Sequence, residues 1–86
     1  MYRVEYSGKA VKQLRKLDKS TQKIILNWID KNLVNCLNPR IKGKALVDNH
    51  RGEWRYRIGE YRIITEIQDD KIIILVLEIG HRKNIY

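Results

Sequence analysis

Trp54-Arg55-Tyr56-Arg57-Ile58-Gly59-Glu60-Tyr61-Arg62-Ile63-Ile64-Thr65-Glu66 is the stretch from which the fold of this 86-residue chain is read. Arginine alternates with aromatic and aliphatic residues at the two-residue period of a β-strand. Arg55 and Arg57 therefore share one face, while Trp54, Tyr56 and Ile58 share the other. Gly59-Glu60 has the composition of a two-residue hairpin turn, with glycine supplying a positive φ. The hairpin returns a second strand, Tyr61 to Gln68, on which Arg62 alternates with Tyr61 and Ile63 and can join Arg55 and Arg57 on the polar face. One face is core and the other is a cation array. An arginine cluster beside tyrosines suits a phosphodiester ligand, because the guanidinium fork grips phosphate oxygens bidentately and aromatic rings accept stacked bases. The alternative is a solvated sheet face with Glu53, Glu60 and Glu66 as ion-pair partners.

Working outward, 86 residues make one domain, 1–86, with a single modest core. A net charge of +8 calls for an acidic partner: nucleic acid, an anionic membrane surface or an acidic protein. No run of about 18 apolar residues occurs, and the start, Met1-Tyr2-Arg3-Val4-Glu5-Tyr6, lacks the apolar stretch of a signal peptide, so a cytoplasmic protein is expected. Cys36 is the lone cysteine and falls among the apolar positions of an expected helix, as a buried thiol would. Two histidines and one cysteine make no metal spacing; neither metal nor cofactor is expected.

Tyr2 to Tyr6 reads as a short first strand, and Ser7 as the N-cap of a helix from about Gly8 to Leu17. Ala10, Val11, Leu14 and Leu17 fall on one arc of it, while Lys9, Lys12, Arg15 and Lys16, with Lys19 beyond, fall on the other. Asp18 and Ser20 both suit a second cap, and Ile25, Ile29, Leu33 and Cys36 carry the helical period from about Lys19 to Cys36. Ile24 and Trp28 lie off that arc, so this helix either buries two sides or keeps an apolar strip for a partner, with Trp28 read as a core or edge residue. Asn38-Pro39 closes the helical pattern. A basic loop follows from about Asn38 to Glu53, with Arg40, Lys42, Lys44 and Arg51, glycines Gly43 and Gly52 for turns, and a surface histidine, His50. After the hairpin, Gln68-Asp69-Asp70-Lys71 is a polar turn, and the apolar run Ile72 to Ile79 reads as a central strand covered on both faces. The expected fold is α+β in the order β-α-α-β-β-β: two N-terminal helices packed on one face of a mainly antiparallel four-stranded sheet. The arginines occupy the open face, and the tail His81 to Tyr86 emerges near it.

Ser7 and Ser20 sit at helix caps, no inward carboxylate pair is evident, and no glycine-rich phosphate loop is present, which sets those enzyme classes aside. Metal-free cleavage of RNA remains, because the ribose 2′-hydroxyl is a built-in nucleophile. It needs a proton acceptor, cations for the scissile phosphate and a proton donor for the leaving oxygen. Arg55, Arg57, Arg62 and Arg82 supply charge, and His81 and Tyr86 are the proton-transfer candidates. Lys9, Lys12, Arg15, Lys16, Lys19, Lys42, Lys44, Arg51 and Lys83 form the wider candidate RNA-binding set.

At these residues the sequence resembles the RelE/ParE toxin superfamily of bacterial toxin–antitoxin systems, and its RelE-like mRNA endoribonucleases in particular. The opening Tyr-Arg-Val-Glu-Tyr-Ser, the Leu14-Arg15-Lys16-Leu17-Asp18 helix end, the Trp54 to Arg62 hairpin and the Gly80-His81-Arg82-Lys83-Asn84-Ile85-Tyr86 ending carry the likeness. The resemblance implies a toxin that cuts mRNA in the ribosomal A site, leaving a cyclic phosphate and a 5′-hydroxyl, and that is neutralised by an acidic, RelB-like antitoxin. It sets Arg55 and Arg57 at basic positions where lysine often stands, Arg62 and Arg82 on the phosphate, Tyr86 at a terminal tyrosine that stacks on the substrate base, and His81 where relatives carry lysine or an imidazole. The chain departs from relatives with a glutamate base, since Lys42 to Asp48 contains none. Within the superfamily the alternative is a ParE-like poison of DNA gyrase without nuclease chemistry; outside it, a non-catalytic RNA-binding module.

Overall fold

The computed structural model describes residues 1–46 and 52–83, so the expectations placed on His50, Arg51 and Tyr86 lie outside the described residues. In chain order the elements are β1 (Arg3–Tyr6), α1 (Gly8–Arg15), α2 (Lys19–Asn32), β2 (Lys44–Ala45), β3 (Glu53–Ile58), β4 (Tyr61–Gln68) and β5 (Ile73–His81). The α+β architecture is the expected one. The sheet differs in detail: it has five strands in the order β1-β5-β4-β3-β2, with β1 parallel to β5 and every other pairing antiparallel. The added strand is the two-residue β2 from the basic loop, which pairs Lys44 with Arg55 and Ala45 with Trp54.

Both helix starts follow from their caps. Ser7 Oγ accepts the Ala10 N–H at 3.0 Å and donates to the Leu77 carbonyl at 2.9 Å, so one hydroxyl caps α1 and ties it to β5. Asp18 Oδ1 accepts the Thr21 N–H at 3.1 Å, and with Ser20 Oγ also donating to the carboxylate, Asp18 is held below the usual carboxylate range. The second helix stops at Asn32, short of the expected Cys36. Asn35 takes a left-handed conformation (φ 62°), donates its N–H to the Tyr2 carbonyl and lets Tyr2 N–H reach the Cys36 carbonyl, so residues 33–36 turn away to pin the start of β1. Cys36 is accordingly half-buried beyond the helix, with its thiol pushed up by desolvation.

The core lies between the helices and one sheet face. Ala10, Ile25, Ile29 and Leu33 meet Tyr56, Ile58, Ile63, Ile74, Val76 and Ile79, each buried isoleucine, leucine or valine stabilising the fold by about 1.5–3 kcal/mol. Tyr56 is fully buried and its hydroxyl donates to the Pro39 carbonyl at 2.5 Å, anchoring the loop that leads to β2. β5 is interior, as its apolar run suggested, but is not covered on both faces: Leu75, in register with Glu5 and Glu66 on the side away from the helices, is only half-buried. Beyond Val76, β1 ends and α1 takes its place along β5, where Gln13 Oε1 accepts the Ile79 N–H at 2.8 Å.

Ile72, expected to begin the last strand, instead closes the turn before it with φ at 57°. That region disfavours a β-branched side chain, and at 45% exposure this one has little packing to lose. Ile72→Asn is expected to raise stability by about 0.5–1 kcal/mol, read as an upward shift of the urea midpoint without a change in slope. An unchanged or lower midpoint would contradict the left-handed turn.

Candidate nucleic-acid interface

The Gly59-Glu60 turn closes directly between Ile58 and Tyr61, with Gly59 at φ 56° in the first central position as a type II′ turn requires. Its register fixes what each face carries. Arg57 stands directly opposite Arg62, and Arg62 is followed on β5 by Gly80, which has no side chain. The next row is Lys44, Arg55, Ile64 and Glu78, and beyond it Glu53, Glu66, Leu75 and Glu5. The face away from the helices is thus polarised along its strands, cationic towards the hairpin tip and acidic at the far end. Arg55, Arg57 and Arg62 share it as expected. The polar face also contains an apolar pair that alternation alone did not suggest: Ile64 is fully buried and clusters with Leu46.

Arg82 lies at the tip, just past β5. Its N–H donates to the Glu60 carbonyl at 2.8 Å, and its Nε lies 3.3 Å from Glu60 Oε2. His81 is on the other side of the sheet: it pairs with Tyr61, whose ring it meets edge-on at 5.5 Å, and Tyr61 packs against the helix-side core. Its Nδ1 accepts the Lys83 N–H at 3.2 Å, so the neutral ring carries its proton on Nε2, which is 4.0 Å from Glu60 Oε2. Glu60 therefore pairs with Arg82 at the hairpin end and stands near enough to His81 to pair with it when the ring is protonated. Tyr56 has no part in proton transfer, since burial pushes its phenol far up and its hydroxyl is committed to Pro39.

The wider basic set divides. Lys9, Lys12, Arg15, Lys16 and Lys19 are exposed on the helical layer, where Lys9 pairs with Glu78 at 3.3 Å. Lys83 is exposed beside Arg82. Lys42 and Lys44 do meet the arginines: with Arg55, Arg57, Gly43 and Trp28 they line a cleft of about 370 Å³ at the β2–β3 edge. Arg40 belongs elsewhere, because Asp69 takes both its Nη atoms at 3.0 and 2.9 Å and also accepts the Tyr2 hydroxyl at 2.7 Å. Arg40 and then Tyr2 hold the Asp69 carboxyl below its ordinary range.

Two contributors escaped the sequence. Trp28, expected at a core or edge position, is half-buried with its indole lining the cleft. Gly43, expected only as a turn residue, is where the Lys42–Lys44 segment crosses β3; a lysine on each side of a lone glycine was the available signal. Among the described residues no group of three or more His, Cys, Asp or Glu side chains is arranged to hold a metal ion, and no helix is long and apolar enough to cross a membrane.

Two helices over one face of a five-stranded sheet is the architecture of a RelE-type toxin. The isolated Escherichia coli RelE toxin has the same fold, with a TM-score of 0.75 at 21% identity over all of this chain and 92% of its own. A chain of the RelBE2 toxin–antitoxin complex of Mycobacterium tuberculosis matches with a TM-score of 0.85 at 26% identity, covering 94% of this chain and 98% of that one. An Escherichia coli protein described as RelE-like is 27% identical over 82 residues, 95% of this chain and 84% of its own length. A sequence profile of the ParE toxin of type II toxin–antitoxin systems (parDE) matches residues 4–86. The chain belongs to this toxin family, within the RelE/ParE superfamily.

Proposed function

We propose that this toxin is a ribosome-dependent endoribonuclease that cleaves mRNA in the A site without a metal ion, and so acts in the cytoplasm. The observation that carries the proposal is the Arg57–Arg62 cross-strand pair on the face away from the helices, with Arg82 at the adjoining hairpin tip. Like charges directly opposite one another weaken a sheet, and a phosphodiester gives the juxtaposition a use. In the proposed step the ribose 2′-oxygen attacks the phosphorus, the bond to the 5′-oxygen breaks, and a cyclic phosphate and a 5′-hydroxyl result. Arg57, Arg62 and Arg82 stabilise the charge that develops on the phosphate oxygens. The 2′-hydroxyl gives up its proton, for which Tyr86 in its phenolate form is the candidate acceptor by family likeness as well as a base-stacking group. The leaving 5′-oxygen takes one from His81 in its protonated form, which stands at the hairpin end shared with Arg82 and Glu60. An acidic antitoxin of the RelB kind is the proposed partner, supported by the charge of +8 and by the toxin–antitoxin complex named above.

The test is primer extension on mRNA in translating ribosomes, with free mRNA as control. New 5′ ends at A-site codons are expected with ribosomes only, and Arg82→Ala is expected to reduce them by about 10²-fold or more. Folding should be retained, because the Arg82–Glu60 pair is an exposed one of little net worth. The match to the ParE profile favours a second reading, a gyrase poison; intact message with DNA damage on expression would establish it in place of the nuclease.

A further inference from the structure

The cleft at the β2–β3 edge is assembled from three separate parts of the chain. Trp28 comes from α2 and is set against Tyr56, ring centroids 5.6 Å apart and tilted by 54°, while Tyr56 is itself fixed by the Pro39 carbonyl. Arg55 and Arg57 come from β3. Lys42 and Lys44 come from a strap held in two ways: Trp54 Nε1 donates to the Lys42 carbonyl at 2.7 Å, and Gly43, at φ 85°, lies so close to β3 that a Cβ there would sit 2.3 Å from the Arg55 carbonyl oxygen. Among the described residues the lining holds four cations, one aromatic ring and no carboxylate. Four like charges around a cavity repel one another, so the arrangement calls for an anion inside it. An indole held rigidly at its wall calls for a flat partner, because a stacking platform is most effective when already immobilised.

We infer that this cleft binds one nucleotide of single-stranded RNA, its base against the Trp28 indole and its phosphates on Lys42, Lys44, Arg55 and Arg57. The inference rests on the proposed RNA-cleaving function and deepens it: Trp28 is a substrate-positioning residue beside the Arg57–Arg62 row, and its cleft fixes which phosphodiester reaches that row. A volume of about 370 Å³ falls within the range of small-ligand sites and leaves room for a single nucleotide. An acidic peptide would satisfy the cations and leave the indole without a stacking partner.

The experiment measures binding of a short 2′-O-methyl oligoribonucleotide, which cannot be cleaved, to the full chain and to Trp28→Phe and Trp28→Leu. Leucine keeps an apolar side chain on the core and removes the stacking face, and thermal unfolding of the same samples verifies the fold. Trp28→Leu is expected to weaken binding by about 5- to 150-fold, and Trp28→Phe by far less. An abasic nucleotide is then walked along the oligonucleotide. At one position it should weaken wild-type binding by a similar factor and leave Trp28→Leu binding nearly unchanged, since the two changes remove the same contact. Equal sensitivity of both proteins to the abasic site at every position, or no loss with Trp28→Leu, would overturn the nucleotide cleft while leaving ribosome-dependent cleavage to be decided by primer extension. Failure of the wild type to bind the oligonucleotide, with an Asp/Glu-rich peptide bound in a Trp28-dependent way, would overturn it in favour of a peptide site.

Discussion

Gly43→Ala is expected to detach the Lys42–Lys44 strap and lower stability by about 2–4 kcal/mol, among the larger effects a single methyl can have. Two costs add. At φ 85° an alanine meets the left-handed penalty of about 1–2 kcal/mol. Its Cβ would also stand 2.3 Å from the Arg55 carbonyl oxygen, 2.6 Å from Trp54 Nε1 and 3.0 Å from Tyr56 Cδ1. The first neighbour is backbone of a strand paired on both sides and cannot yield, and the third belongs to a fully buried ring. The strap must therefore move. Its loss is bounded, since what leaves with it is the two-residue β2, the Trp54–Lys42 hydrogen bond and the Leu46 cover on Ile64. The rest of the core should survive, with a lower urea midpoint, a more solvated Trp54 and lost amide protection at Leu46, whose N–H otherwise donates to the Glu53 carbonyl at 3.0 Å. A midpoint equal to wild type would show that the strap does not lie on β3 as described.

How much of this was legible beforehand follows the range of each interaction. The hairpin and both N-caps were legible because their determinants lie within a few residues: alternation at period two, Gly59-Glu60, and Ser7 and Asp18 ahead of apolar periodicity. The parallel β1–β5 pairing was not, because nothing local to Arg3–Tyr6 specifies a partner some 70 positions away. The early end of α2 was hidden likewise: Leu33 and Cys36 keep the helical period, and the stop comes from Asn35 bonding to Tyr2.

The candidate site shows the same division. Arg55, Arg57 and Arg62 could be assigned to one face because the hairpin turn fixes their register. His81 could not, because its face depends on a register shift between β4 and β5: Thr65 pairs with Val76 and Ile64 with Glu78, leaving Leu77 as an extra residue. One inserted residue exchanges the faces of all that follow, and carries His81 to the helix side with Tyr61. Trp28 was ambiguous for another reason. The same α2 position is plain core or a cleft wall according to where the Lys42–Lys44 strap docks, which Gly43 and Trp54 decide.

Arg57→Gln is expected to separate function from stability. The side chain is exposed and stands directly opposite Arg62, so neutralising it relieves a like-charge pair and should leave stability unchanged or raise it by about 0.2–1 kcal/mol. Cleavage in the ribosome assay should fall by about 10²–10³-fold, the usual loss when one group stabilising a developing oxyanion is removed. Arg57→Lys should recover part of the rate, since it restores the charge without the bidentate fork. An arginine kept for structure would behave in the opposite way, with Gln lowering the unfolding midpoint and leaving cleavage intact. Opposed signs matter more here than either magnitude, because general damage to the fold lowers stability and activity together. A variant at least as stable as wild type that no longer cuts mRNA leaves the phosphate as the reason two guanidinium groups face each other across one strand pair.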